Sequence, residues 1–216
     1  DRLPCSTHEQ ASSFSNPPHL AWRLHPLLFG QAARQTIVSP AFSLQPPFPR
    51  LGLASTALWS LIDPPTTYLF GGSFDRTLQQ DVYSLSYKSL TPPLLTVNLF
   101  KARGLAPSPC YHALMTSYET NIVVWGGQTS PATAITDNWL YQLSTITHTW
   151  SRFTSMGPCP SGLVGSSATV FEDFLYIYAG KDIHGLINSH LWRAKLVTGQ
   201  SSSSDCLLYT SDAADE

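Results

Sequence analysis

Apolar residues along the chain fall into short runs that alternate with polar neighbours or are β-branched and aromatic throughout. Both patterns predict strands, the first half-buried and the second fully buried. Prolines interrupt nearly every window of helical length, so an all-helical reading fails. Three runs each end in a pair of small residues: Tyr68-Leu-Phe-Gly-Gly72, Ile122-Val-Val-Trp-Gly-Gly127 and Leu175-Tyr-Ile-Tyr-Ala-Gly180. Gly71 to Gly126 is 55 positions and Gly126 to Ala179 is 53, which marks an internal repeat. A second β-type run follows each pair, at Asp81-Val-Tyr-Ser-Leu85, Asn138-Trp-Leu-Tyr-Gln-Leu143 and His190-Leu-Trp192. A proline-marked segment leads into each unit, at Pro49-Arg50, Pro109-Cys-Tyr-His112 and Pro160-Ser-Gly162. In the middle unit His148-Thr-Trp-Ser-Arg-Phe153 supplies a further run after a short polar turn.

The repeated elements have physical reasons. Each unit reads as four short strands, the first two joined by a two-residue hairpin such as Glu172-Asp173 in a type I′-like turn. Two glycines at a strand end remove two Cβ atoms, where another backbone or ring must come close or φ must turn positive. The downstream Tyr and Trp offer ring surfaces of roughly 150–250 Å² each for packing between sheets. A sheet with two apolar faces must bury both, so copies stack on either side of one another. Strand spacing alone leaves a linear β-sandwich open; three matched units with Gly-Gly-type ends favour stacking.

A strand ending in Gly-Gly, then a Tyr, then a Trp further on, resembles the kelch repeat. The middle unit carries the full pattern, Gly126, Gly127, Tyr141 and Trp150. The first keeps Gly71, Gly72 and Tyr83 but has Val97-Asn-Leu-Phe100 where the Trp is expected. The third has Ala179 ahead of Gly180 and Trp192 at the tyrosine position. The resemblance implies an all-β chain: an incomplete kelch-type β-propeller of about three four-stranded blades, near 49–104, 105–157 and 158–205. Residues 1–48, rich in Pro, Ser and Gln, read as an irregular leader in which Leu20-Ala-Trp-Arg-Leu24 and Thr36-Ile-Val38 are candidate stray strands. The last residues, 206–216, resemble the in-frame translation of a transposase adapter used in sequencing libraries and are expected to be non-native. Three blades do not close a ring, so an unpaired edge near His190–Val197 and a tendency to aggregate are expected.

Composition narrows the functional classes. Charged residues make up only 12% of the chain and the formal charge is −2 without a basic run, so no footprint for nucleic acid is present. No stretch approaches the ~18–20 apolar residues of a membrane span. None of Cys5, Cys110, Cys159 and Cys206 stands in a C-x-x-C pair, which argues against zinc and for a reduced, cytoplasmic chain. Cys110 and Cys159 each sit beside a proline in a lead-in segment, at positions read as equivalent. They are expected as small buried side chains rather than a disulfide.

Candidate chemistry is sparse. The seven histidines show no H-x-x-x-H or H-E-x-x-H spacing, and no P-loop, dinucleotide fingerprint or G-x-S-x-G is present. No catalytic residue, metal site or cofactor is therefore assigned. His112 is expected to hydrogen-bond between blades. Kelch-type copper radical oxidases use a Tyr–Cys cross-link, but neighbours such as Cys110 and Tyr111 point to opposite faces of a strand. A fragment of such an enzyme, its active site in blades outside this chain, is the alternative to the leading reading. That leading reading is a non-enzymatic scaffold that binds protein partners through its blade loops. The loops after the small pairs share no pattern, and Phe74, Arg76, Lys181 and His184 in them are the expected partner-facing residues, having no core role.

Overall fold

The computed structural model describes residues 27–29, 48–59, 64–90, 93–130, 133–134, 139–156, 159–196 and 208–212. Among these residues all regular structure is strand. The first unit holds β1 (Leu27–Phe29), β2 (Ala54–Leu58), β3 (Thr66–Phe70), β4 (Ser73–Phe74), β5 (Thr77–Leu78), β6 (Val82–Leu90) and β7 (Pro93–Phe100). The second holds β8 (Arg103–Gly104), β9 (Leu114–Tyr118), β10 (Asn121–Trp125), β11 (Gln128–Ser130), β12 (Thr133–Ala134), β13 (Trp139–Ser144) and β14 (Thr149–Met156). The third holds β15 (Ser167–Phe171), β16 (Phe174–Tyr178), β17 (Leu191–Lys195) and β18 (Leu208–Asp212).

Each unit is an antiparallel meander: β2-β3-β6-β7, then β9-β10-β13-β14, then β15-β16-β17-β18. β1 and β8 add short parallel pairings on the outer strands β7 and β14. β18 also runs parallel to β14, linking the second and third sheets. The pairing register reproduces the repeat residue by residue. Tyr83 lies opposite Leu69, Tyr141 opposite Val124, and Trp192 opposite Ile177. Val97 faces Leu85 as Trp150 faces Leu143, so valine occupies the tryptophan position of the first unit and is fully buried there.

Three sequence expectations are corrected by the backbone. The Glu172-Asp173 hairpin is not type I′, which needs positive φ at both central residues; only Glu172 has it, at 53°. The third lead-in segment falls in register at Leu163-Val164, a few residues beyond Pro160, because Val164 pairs with Lys181 as Tyr111 pairs with Gln128. Cys159 is therefore not the equivalent of Cys110: Leu163 is. Cys110 is buried and Cys159 only half-buried. The edge expected to be bare near His190–Val197 is also paired, since β18 lies against β17. β18 falls within the adapter-like residues, as β1 falls within the stretch expected as leader.

Side chains alternate across each sheet, and the faces that meet between units form the cores. The outer face of the first sheet brings Tyr68, Phe70 and Val82 onto Cys110, Ile122, Val124, Leu143 and Trp150 of the second unit. Phe70 and Trp150 meet edge-on with centroids 5.8 Å apart, a geometry that adds ~0.5–1.5 kcal/mol to area burial. The second interface packs Tyr118, Val123, Trp125 and Leu140 against Leu163, Leu175 and Ile177. The Tyr118 hydroxyl also donates to Asp173 Oδ1 at 2.9 Å across it.

The small-residue turns are where one unit admits the next. Gly71 and Gly126 have φ of 67° and 66°. A Cβ on Gly71 would lie 2.6 Å from the Cys110 carbonyl oxygen, and one on Gly126 would lie 2.5 Å from that of Leu163. Those same oxygens accept hydrogen bonds from Gly72 N (2.8 Å) and Gly127 N (3.1 Å). Ala179 keeps the left-handed backbone at φ 60°, and among the described residues no carbonyl reaches Gly180 N in the same way.

A buried ion pair braces the first turn. The Arg50 side chain is wholly buried, and its two terminal nitrogens donate to the two carboxylate oxygens of Asp81. Nη1 also donates to the Gly71 carbonyl at 2.8 Å, and the guanidinium sits 5.4 Å from the centroid of the Tyr83 ring. Burial, reinforced by the nearby Asp81 carboxylate, pushes the Tyr83 hydroxyl up from 10.0 to about 12.

Three outcomes follow from this packing. Gly126→Ala, which adds a Cβ against the Leu163 carbonyl, should cost about 2 kcal/mol or more in urea unfolding, whereas Ala179→Gly should stabilise by up to ~1 kcal/mol. Arg50→Met, which strands the Asp81 carboxylate, should cost about 3–5 kcal/mol, with most of that recovered in Arg50→Met/Asp81→Leu. Tyr83 keeps its proton in the folded chain at a pH where the unfolded chain has lost it. Its contribution is therefore complete below pH 10 and lost between about 10 and 12. Alkaline titration of stability should show that loss, and Tyr83→Phe should make it shallower.

Candidate functional site

The functional end of the sheets is set by backbone pairing. In each unit the lead-in residue forms an isolated two-way bridge with the residue just after the small pair. Leu51 pairs with Ser73, Tyr111 with Gln128 and Val164 with Lys181, at N···O distances of 2.9–3.1 Å. The three loops that follow thus start from equivalent points and share one end of the stack. The next residue in each lead-in, Gly52, His112 or Gly165, has φ of 65°, 56° or 69°. His112 N donates to Gly52 O at 2.8 Å, and His112 O accepts from Gly165 N at 3.2 Å. The bonding between units expected of His112 is made by its main chain, leaving the imidazole exposed beside the Tyr111 ring.

Between the second and third units this end forms a concavity of about 770 Å³. Its polar lining comes from His112, Gln128, Lys181, Asp182 and His184, its apolar lining from Val164, Ile183 and Ile187. The loop is held by its own hydrogen bonds. Asp182 Oδ1 accepts from His184 N at 2.8 Å and Leu186 N at 2.9 Å, and Asp182 N donates to Leu186 O at 3.0 Å. The aspartate is thereby committed to shaping the loop. Lys181 is fixed through its backbone to Val164, and Asn188 N donates to Gly180 O at 2.9 Å. The side chains of Lys181, His184 and His112 are exposed on this scaffold. They present an ammonium and two imidazoles, suited to carbonyl or carboxylate groups of a ligand.

The four residues expected to face a partner are split. Lys181 and His184 line the one concavity. Phe74 and Arg76 lie on the separate β4–β5 hairpin, whose central residues Asp75 and Arg76 both have positive φ, at 46° and 62°. That is type I′ geometry built without glycine, so the Arg76 backbone is strained to hold its exposed side chain at the tip. Phe74 is half-buried. Reading loops one at a time missed His112, Gln128 and Asp182. Stacking the units on their small pairs exposes the first: the column Gly52, His112, Gly165 carries an imidazole where its neighbours have none.

No group of three or more His, Cys, Asp or Glu among the described residues is placed to hold a metal ion. No helix among them is long and apolar enough to cross a membrane.

Comparison with known proteins agrees with this geometry. The family model of the KLHDC2/KLHL20/DRC7 Kelch-repeats domain matches residues 28–208. Among solved structures, the chain is similar to one in the cryo-EM structure of RAG in complex with one melted RSS and one unmelted RSS. The TM-score is 0.61 and the identity 17%, over 74% of this chain and 50% of that one, so the likeness concerns the fold. This chain therefore spans about half the length of that solved chain. No curated protein matches. With its units in pairing register and most of its length matched by the family model, the chain belongs to the kelch-repeat family.

Proposed function

We propose that the chain is a non-enzymatic interaction module whose partner binds at the end of the stack bearing the loops after the small pairs. Kelch-repeat domains typically serve as protein-interaction scaffolds, and this supports the general class. The observation that carries the finer reading is the concavity formed by Lys181, His184 and His112, in which the local aspartate is already engaged by loop backbone. Exposed cationic and imidazole groups on a hydrogen-bonded loop contact a partner without a large ordering cost. The strained Arg76 hairpin, springing from the equivalent point of the first unit, extends the same surface.

Capture of partner protein from native lysate, competed with the untagged chain, tests this reading. Lys181→Ala/His184→Ala should weaken capture by roughly five- to thirtyfold, the scale of one or two hot-spot side chains, and Phe74→Ala/Arg76→Ala should weaken it further. Capture unchanged by both pairs, with the fold intact by circular dichroism, would remove the loops from the interface.

A further inference from the structure

The junction between the first and second units carries a separate concave surface, built where the chain passes from one sheet to the next. β7 ends at Phe100, and the linker that follows is tied by its main chain to the start of β14. Arg103 N donates to His148 O at 3.0 Å, and Leu105 N donates to Trp150 O at 3.3 Å. Gly104 lies between them at φ 95°, where a Cβ would collide with the Trp150 oxygen. Backbone contact therefore fixes the course of the linker.

Two hollows open along it and share Lys101 and Ala102. The first, of about 640 Å³, takes its apolar wall from residues such as Val82, Leu99, Phe100 and Trp150. The second, of about 550 Å³, has Lys101, Arg103, Ile146 and His148 in its wall. The Phe100 ring of the first lies 4.3 Å from the His148 ring of the second, so the two form one trough.

Charge in this trough is unbalanced. Lys101, Arg103 and His148 are exposed, and among the described residues none of them has a carboxylate partner. Arg103 Nε reaches the Thr149 hydroxyl at 3.4 Å, and its terminal nitrogens make no hydrogen bond among the described residues. The repeat itself does not call for these cations, since the linker after β14, residues 157–162, has none. Aliphatic side chains flank them, Ile146 at 70% exposure and Leu105 at 57%. Cations that no internal carboxylate neutralises, set beside exposed aliphatic groups, complement a segment in which acidic and aliphatic residues alternate. From this we propose that the trough along residues 101–105 binds an acidic–aliphatic peptide segment of a partner protein. Its carboxylates meet Lys101 and Arg103, and an aliphatic side chain enters the hollow beside Phe100.

Two fixed cations are few beside the roughly six to ten phosphate contacts of a nucleic-acid binder, so a peptide is the occupant that fits. The units on both sides of the trough are among the described residues, and it shares no lining residue with the concavity at the third loop. The two readings therefore stand or fall independently.

Fluorescence anisotropy with the full chain and a short labelled peptide of alternating Glu and Leu tests the proposal. Saturable binding is expected, weakening several-fold as salt is raised. Lys101→Glu/Arg103→Glu should weaken it by roughly tenfold or more and Ile146→Ser by about threefold, with circular dichroism unchanged. Lys195→Glu reverses an exposed charge on β17 and should leave binding in place. On the unaltered chain, replacing Glu by Gln or Leu by Ser in the peptide should each weaken binding by about fivefold or more, a result that no variant's folding can affect. Absence of saturable binding overturns the proposal. So does binding insensitive to Lys101→Glu/Arg103→Glu, a Glu–Ser peptide held as well as the Glu–Leu one, or oligothymidylate held more tightly than either.

Discussion

A main-chain carbonyl entering the small-residue turn of the preceding unit sets the spacing of this molecule. The Cys110 oxygen sits where a Cβ on Gly71 would be, and the Leu163 oxygen where one on Gly126 would be. Each is held there by the next glycine's N–H. Because the approach is backbone to backbone, any side chain at that point would wedge the sheets apart. The aromatic contacts between sheets, Phe70 on Trp150 among them, form only at the separation this contact enforces. The same contact positions the lead-in residues that pair beside each loop, so it also places the candidate site.

Within this constraint the units differ in how they fill equivalent space. Arg50, Cys110 and Leu163 occupy one position of the repeat, and Asp81, Trp139 and His190 another. Where the first is a buried guanidinium the second is its carboxylate partner, and the pair appears together in the first unit only. A buried arginine without that carboxylate would carry a desolvation cost of several kcal/mol, so neither charge is tolerable alone. In the second unit Trp139 instead lies under Arg152, 4.3 Å from centroid to guanidinium, and the buried Cys110 stands at the arginine position. The backbone contact thus recurs at the Gly71 and Gly126 turns while the side chains at these two positions change from unit to unit.

Division of labour between strands and loops follows from the same economy of contacts. Strand positions are bound by two neighbours, while the loops after the small pairs begin at one shared bridge and close on themselves by different hydrogen bonds. The third loop uses Asp182 to organise itself and leaves Lys181 and His184 outward. The first uses a two-residue hairpin with positive φ at Asp75 and Arg76. Neither solution constrains the other, which is why the loops share no sequence pattern although they begin at equivalent bridges.

Periodicity, the small pairs and the Tyr and Trp positions were legible in the sequence because each answers to local chain geometry. Strand alternation, a turn that needs positive φ, and rings at fixed offsets are written in consecutive residues. The assignment of Trp192 to the tyrosine position accordingly agrees with the pairing register, and within the run Val97-Asn-Leu-Phe100 the register singles out Val97 as the residue at the tryptophan position. Apart from the local turn type at Glu172-Asp173, what failed depended on partners distant in the chain. Cys159 looked equivalent to Cys110 by its adjacent proline, yet Leu163 takes that place because its carbonyl meets Gly126. The union of Arg50 with Asp81 and the gathering of His112 with Lys181 and His184 were likewise decided in three dimensions. The sequence by itself determined the unit and its repetition. Tertiary structure alone decided which carbonyl fills which turn, and so which side chains share a surface.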